Sequence, residues 1–263
     1  MHPWPSLATT LAAIVFALAL GIRWGDPRVG AILVTVLMTQ LSISTLNDWA
    51  DRDRDAQANR PKPLVIGHLS PWAAVGLAGL SGVLVLPGAL GFGWTAGVVL
   101  IGGLAAGWAY DLWLKPTPLS FVPFAIAFPL LPTWVGLVSG RPLSQFVWVI
   151  VGGAFLAVAV HLGDSLPDLA IDARTGVRSL AVTLGLERSI RTITACMVAG
   201  GLVVVTALAS RILQSVLLGL AGLLAIVLLV TTARRSPASA RWITGSFAIV
   251  ASVALITRLP PHG

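Results

Sequence analysis

Apolar runs of about 17–25 residues, the length that crosses a bilayer core as a helix, recur along the whole chain. Nine can be read, at about 6–22, 29–48, 71–90, 94–111, 118–139, 145–164, 192–210, 212–231 and 241–257. Most connections are brief and rich in Pro and Gly, as in Pro87 to Gly93 and Gly140 to Pro142. Two differ. The stretches at about 49–70 and 165–191 are longer and hold nearly all of the polarity. Long polar loops on a rigid helical scaffold are where binding and chemistry concentrate. The pattern predicts an all-α, polytopic membrane protein of about nine transmembrane helices, one domain over 1–263 with no separate soluble part.

Composition supports that reading, with 56% hydrophobic residues. Met1 to Thr10 carries no Lys or Arg, so the first run lacks the basic start of a signal peptide and reads as a span. The single cysteine, Cys196, excludes an intramolecular disulfide and any multi-cysteine metal site. The net charge of +7 is explained by where the cations fall. With a cytoplasmic N-terminus, Arg52, Arg54, Arg60, Lys62, Lys115, Arg174, Arg178, Arg188, Arg191, Arg234, Arg235 and Arg241 face the cytoplasm. Arg23, Arg28, Arg141, Arg211 and Arg258 face the other side. That bias obeys the positive-inside rule and places both polar loops on the cytoplasmic side, of the cell membrane in a prokaryote. Basicity therefore reports topology, and nucleic acid is not indicated.

Acidic residues are scarce and clustered. Of ten, seven form two sets in or at the edge of the two long polar stretches: Asp48, Asp51, Asp53 and Asp55, then Asp164, Asp168 and Asp172. Asn47-x3-Asp51-x3-Asp55 has the spacing of Asp164-x3-Asp168-x3-Asp172, and each set precedes an arginine and a later glycine, Gly67 or Gly185. The match is a weak internal repeat, consistent with related halves of about 1–140 and 141–263 and a site between them.

If the spans continue helically, Asn47, Asp48, Asp51 and Asp55 share an arc of about 100°, and the second triplet forms one stripe. Like charges at i,i+4 repel, and both sets sit at helix C-terminal ends, where the dipole disfavours anions. A cation must compensate. Carboxylates with an Asn amide are hard oxygen donors, a set that suits Mg²⁺ bridging to a phosphorylated substrate. Arg60, Lys62, Arg174 and Arg178 follow the two sets and can hold phosphate oxygens. Asp53, Arg52 and Arg54 fall off the stripe and read as solvated groups. Pro167 limits regular helix within the second stripe. His161 reads as a polar neighbour at a span end, and "ARRSPASAR" at 233–241 as a basic linker.

At these residues the chain resembles the UbiA superfamily of intramembrane prenyltransferases. Asn47-Asp48-x2-Asp51-x3-Asp55 resembles that family's first aspartate-rich motif, Asp164-x3-Asp168-x3-Asp172 the second, and "ANRPKPLVIGHLSP" and "DARTGVRSLAVTLG" the sequences that follow them. The resemblance implies a helical bundle around a central cavity and Mg²⁺-dependent transfer from a prenyl diphosphate to a lipophilic acceptor, with an aromatic quinone precursor the first expectation. It implies Asn47, Asp51, Asp55, Asp164 and Asp168 as Mg²⁺–diphosphate binders, Asp48 and Asp172 as supporting ligands, and Arg60 and Arg178 as basic groups near the phosphates. The family's Tyr-x3-Lys pattern is lengthened here, four residues separating Tyr110 from Lys115. In an α-helix the extra residue rotates Lys115 by about 100°. Asp111 is a candidate acceptor-side base, and Trp108, Trp113, Phe121 and Trp134 are candidate cation-stabilising walls.

Two rivals share these features. A terpene cyclase of the same superfold would use the same clamp without an acceptor. A secondary transporter also carries intramembrane acids and internal repeats, but its acids tend towards mid-span rather than span ends beside arginines.

Overall fold

The computed structural model describes residues 3–57 and 59–258. Of the expected 1–263 domain, residues 1–2, 58 and 259–263 lie outside the described residues. Among the described residues ten α-helices follow in order: α1 Pro3–Ala19, α2 Pro27–Gln57, α3 Pro71–Leu90, α4 Trp94–Ala109, α5 Val122–Val138, α6 Val147–Ser165, α7 Leu169–Arg174, α8 Leu180–Ala207, α9 Ile212–Thr232 and α10 Pro237–Thr257. A π-helical turn, Tyr110–Leu114, extends α4, and 3₁₀ turns at Leu143–Phe146 and Leu166–Asp168 flank α6. Seven helical stretches, built on α2, α3, α4, α6 and α8–α10, are long and apolar enough to span a membrane; α1 and α5 are shorter apolar helices. Together they occupy the nine expected positions of an integral, multi-pass protein.

Local chemistry explains where the helices begin. The Asp26 carboxylate accepts the Arg28 backbone N–H at 2.9 Å and also holds the Arg28 guanidinium. With Pro27 as the first helical residue, this caps α2. The hydrogen bond from the Arg28 side chain lowers the Asp26 pKa to about 2. Ser70 and Ser179 cap α3 and α8 through their hydroxyls.

Two boundaries depart from expectation. The second helix does not end at residue 48 but runs to Gln57, so the first aspartate set rides on helix rather than loop. The stretch at 165–191 is largely helical, and α8 starts at Leu180 instead of residue 192. Glu187, Arg188 and Arg191 mask that start in a search for apolar windows. Gly67 and Gly185, the glycines that follow the two aspartate sets, both take positive φ, 77° and 71°. Only a residue without Cβ adopts that backbone freely, and at Gly185 it kinks α8.

Helices α1 to α5 surround one apolar core, containing Phe16, Ile32, Val36, Val85, Leu104 and Trp134. Helices α6 and α8–α10 surround another, with Phe146, Leu162, Ile193, Met197 and Phe247. The two groups meet where α5 packs on α6 and where α1 packs on α10. Close contact relies on small residues, as expected between membrane helices. A Cβ at Gly88 on α3 would come within 1.8 Å of the Thr35 hydroxyl on α2.

Candidate active site

The last turns of α2 carry the first aspartate set. Asp48, Asp51 and Asp55 are buried, at 2%, 8% and 2% exposure, whereas the Asp53 side chain is 79% exposed. The helical stripe is therefore real, and Asp53 lies off it as the spacing predicts.

Beyond α2 the chain doubles back. Asn59 takes φ of 50°, a conformation asparagine tolerates better than most residues, and the Arg60 N–H donates to the Asp55 carbonyl at 2.9 Å. The turn returns two cations to the carboxylates. Lys62 Nζ lies 2.9 Å from Asp48 Oδ1 and 2.8 Å from Asp55 Oδ2. Burial opposes its charge, but the hydrogen bonds to Asp55 and Asp48 and the attraction of their charges together outweigh it and raise the Lys62 pKa above the ordinary lysine value. Arg60 reaches further. Its guanidinium is 3.8 Å from Asp55 Oδ1 and 2.7 Å from Asp168 Oδ1, joining the two aspartate segments directly.

Asp51 is held by Arg54 and by Lys115. Lys115 arrives because the turn before it is π-helical, with the Lys115 N–H donating to the Tyr110 carbonyl at 2.9 Å. A five-residue hydrogen-bonded turn absorbs the extra residue, and Lys115 Nζ lies 5.6 Å from the Tyr110 ring centroid. The rotation expected for an α-helix does not occur. Arg54 is a second correction: it is not a solvated outlier but pairs with Asp51 and lies 4.0 Å from Asp172 Oδ1. Its position three residues after Asp51 on the helix was the available signal.

The second set is arranged differently. Pro167 sits in a 3₁₀ turn, so the stripe is broken between Asp164 and Asp172. Asp168 is 39% exposed at the side chain and faces Arg60. Asp164 is drawn to α10, where Arg241 Nε lies 2.5 Å from its Oδ1 and Arg241 Nη2 donates to its carbonyl at 3.1 Å. Arg241 thus belongs to a helix and to this network rather than to a linker. No local pattern announces that contact, because it crosses 77 residues. Arg174 and Arg178 are exposed and carry no ion pair among the described residues. The Arg178 backbone N–H donates to the Pro116 carbonyl at 3.2 Å, anchoring the second loop beside Lys115.

Behind the charges lies an aromatic wall. Phe124 packs edge-on against Tyr110 at 5.1 Å, stacks on Phe128 at 5.3 Å, and meets His161 at 4.5 Å between ring centroids. His161 is fully buried, with Nε2 2.9 Å from the Ser120 hydroxyl. The tryptophans do not form this wall. Trp134 is buried in the α1–α5 core and Trp113 is 65% exposed. The Trp108 indole N–H donates to Ser42.

Among the described residues no three His, Cys, Asp or Glu side chains converge to hold a metal by themselves. The carboxylates are instead engaged by ammonium and guanidinium groups. A cation already lies where Asp48 and Asp55 converge, namely the Lys62 ammonium, and Asn47 Oδ1 takes no hydrogen bond among the described residues. Hard oxygen donors offering only one or two carboxylates at a time fit Mg²⁺, which keeps several waters and shares its coordination with phosphate.

The sequence profile of the UbiA prenyltransferase family matches residues 6–256, and the chain belongs to that family. Among similar proteins, a 4-hydroxybenzoate octaprenyltransferase from Paraburkholderia phymatum is 28% identical over 171 residues, covering 61% of this chain and 58% of that protein. The chain thus matches under two thirds of that relative's length. The bacteriochlorophyll synthase 33 kDa chain of Cereibacter sphaeroides is 28% identical over 218 residues, 78% of this chain and 69% of that one. A UbiA homologue from Aeropyrum pernix has the same fold, with a TM-score of 0.76 at 15% identity over 97% of this chain and 98% of that one. One from Archaeoglobus fulgidus, bound to GPP and Mg²⁺, gives 0.72 at 18% identity over 97% and 95%.

Proposed function

We propose that this protein transfers a prenyl group from a prenyl diphosphate to a lipophilic, aromatic acceptor within the membrane, with Mg²⁺ as cofactor. One observation carries the reading: Arg60 bridges Asp55 and Asp168, so both aspartate segments meet at one cationic centre. The aromatic acceptor rests on the hydroxybenzoate and bacteriochlorophyll relatives, and the position-specific excess of cations supports a cytoplasmic site. The two apolar cores support a domain of two related halves.

Asn47, Asp51, Asp55, Asp164 and Asp168, supported by Asp48 and Asp172, would hold Mg²⁺. Bound there, Mg²⁺ neutralises charge developing on the leaving diphosphate. Arg174 and Arg178, exposed and without ion pairs among the described residues, receive the diphosphate first. Arg60, Lys62 and Lys115 then contribute hydrogen bonds to it. As the allylic C–O bond breaks, its electron pair leaves with diphosphate. Tyr110 and Phe124, the aromatic wall behind the charges, would stabilise the positive charge left on the prenyl chain. An acceptor ring carbon attacks that carbon and then loses its proton to a base. The apolar walls exclude water, which would otherwise capture the cation.

The test is diphosphate release by the purified protein from a panel of prenyl diphosphates, with and without Mg²⁺, beside Asp51→Ala and Asp168→Ala. Mg²⁺-dependent release lost in both variants is the expected result, and mass spectrometry of the product separates transfer from cyclisation. No release with any prenyl diphosphate and any candidate acceptor sinks the proposal and favours transport.

A further inference from the structure

Asp111 stands at the second position of the π-helical turn and is 6% exposed. Its Oδ1 accepts a hydrogen bond from Asn47 Nδ2 at 2.7 Å, and its Oδ2 is buried without a hydrogen-bond partner among the described residues. Lys115, four residues on, directs its ammonium to Asp51 instead. A carboxylate buried with a neutral amide as its hydrogen-bond partner is costly to keep, by about 1–3 kcal/mol or more for an unmet polar group. Its position suggests what it does there.

We infer that Asp111 is a positioning residue that fixes which end of the Asn47 amide faces the diphosphate site. An asparagine side chain has an NH₂ end and a carbonyl end, and rotation by half a turn exchanges them at little cost. A carboxylate accepts hydrogen bonds and does not donate them, so it selects the NH₂ end alone. Asn47 Oδ1 is thereby turned away from Asp111, and it takes no other hydrogen bond among the described residues. The result is a carbonyl oxygen presented beside Asp48 and Asp51 as a hard donor for a divalent cation. The bond spans 64 residues, so it also ties the orientation of α2 to the π-helical turn that brings Lys115 to Asp51. Outer partners of this kind orient metal ligands in many sites. The inference rests on the clamp reading of the site.

The experiment reads metal binding rather than turnover. The full chain in nanodiscs is titrated with Mn²⁺, followed by electron paramagnetic resonance, in the presence of geranyl S-thiolodiphosphate. Asp111→Leu should weaken Mn²⁺ binding about tenfold or more. Asp111→Asn should rescue it to within about twofold of the wild type, since an amide partner admits both orientations and leaves half of the molecules competent. In an Asn47→Ala background, Asp111→Leu should have no further effect. If Asp111→Leu does not fold, Asp111→Ala removes the acceptor without the added bulk. Wild-type affinity in the leucine or alanine variant overturns the inference. So does an asparagine variant as weak as leucine, or a full additional loss in the Asn47→Ala background. A wild-type protein that binds no Mn²⁺ with the analogue overturns the clamp reading itself, and this inference with it.

Discussion

Asp51 and Asp168 hold equivalent places in two triplets of equal spacing, yet the protein treats them oppositely. Asp51 lies on an unbroken helix, is 8% exposed, and is gripped by Arg54 and Lys115. Asp168 closes a 3₁₀ turn after Pro167, is 39% exposed at the side chain, and pairs with Arg60. The first set is a fixed, buried half whose ion pairs are set by packing. The second is an open half that meets the first through Arg60 at Asp168 and, more distantly, through Arg54 at Asp172. Equal spacing in sequence therefore does not mean equal energetics, and the two halves should fail in different ways.

The largest difference is expected at Lys62. Replacing it with Met leaves Asp48 and Asp55 facing each other in a buried place without their ammonium, and breaking such a pair costs about 3–5 kcal/mol. A drop in thermal midpoint that Arg60→Ala does not share would confirm the asymmetry, and equal midpoints would break it. Next, Asp51→Ala should lose both stability and diphosphate release, because Lys115 loses its ion pair and Arg54 keeps, among the described residues, only its 4.0 Å contact with Asp172. Asp168→Ala should lose release while its folding stability changes by about 1 kcal/mol or less, as for a half-exposed ion pair. Chemical denaturation beside the release assay separates the two. Arg241→Ala probes the outer edge of the open half. Its pair with Asp164 is nearly half exposed, so about 0.2–1 kcal/mol is expected, measured as a small shift in the same denaturation curve. The smallest effect concerns pH. The Lys62 pKa is raised by its carboxylate partners, so its contribution to stability is fully present below the ordinary lysine value and lost only as pH rises through the higher folded value. Between pH 6 and 9 the thermal midpoints of wild type and Lys62→Arg, whose cation does not titrate there, should therefore differ by a constant amount; a gap that changes within that window would contradict it.

Much of the architecture was legible because membrane helices advertise themselves by apolar length, and the aspartates by their scarcity elsewhere. The errors have specific physical origins. Arg54 lies off the stripe that the acids form, yet a long arginine side chain three residues from Asp51 can curl back to it. Arg241 and Phe124 reach the site through tertiary packing that no local spacing encodes. The start of α8 was hidden because Glu187, Arg188 and Arg191 are compatible with helix at a membrane edge but not with an apolar window. The route by which Lys115 reaches Asp51 is not legible from spacing, because the chain uses a π-helical turn where 3.6 residues per turn is the default.

That wider turn has a consequence for how the chain can change over time. Set against the Tyr-x3-Lys pattern that this stretch resembles, the additional residue between Tyr110 and Lys115 is taken up in a single local fold of the backbone, and the lysine reaches Asp51. The helix end thus works as a length buffer, and the number of residues between two motif positions can drift while the distance between their side chains is preserved. Relatives that differ in this count are then expected to keep the same chemistry, and a motif written with a fixed gap would pass over them.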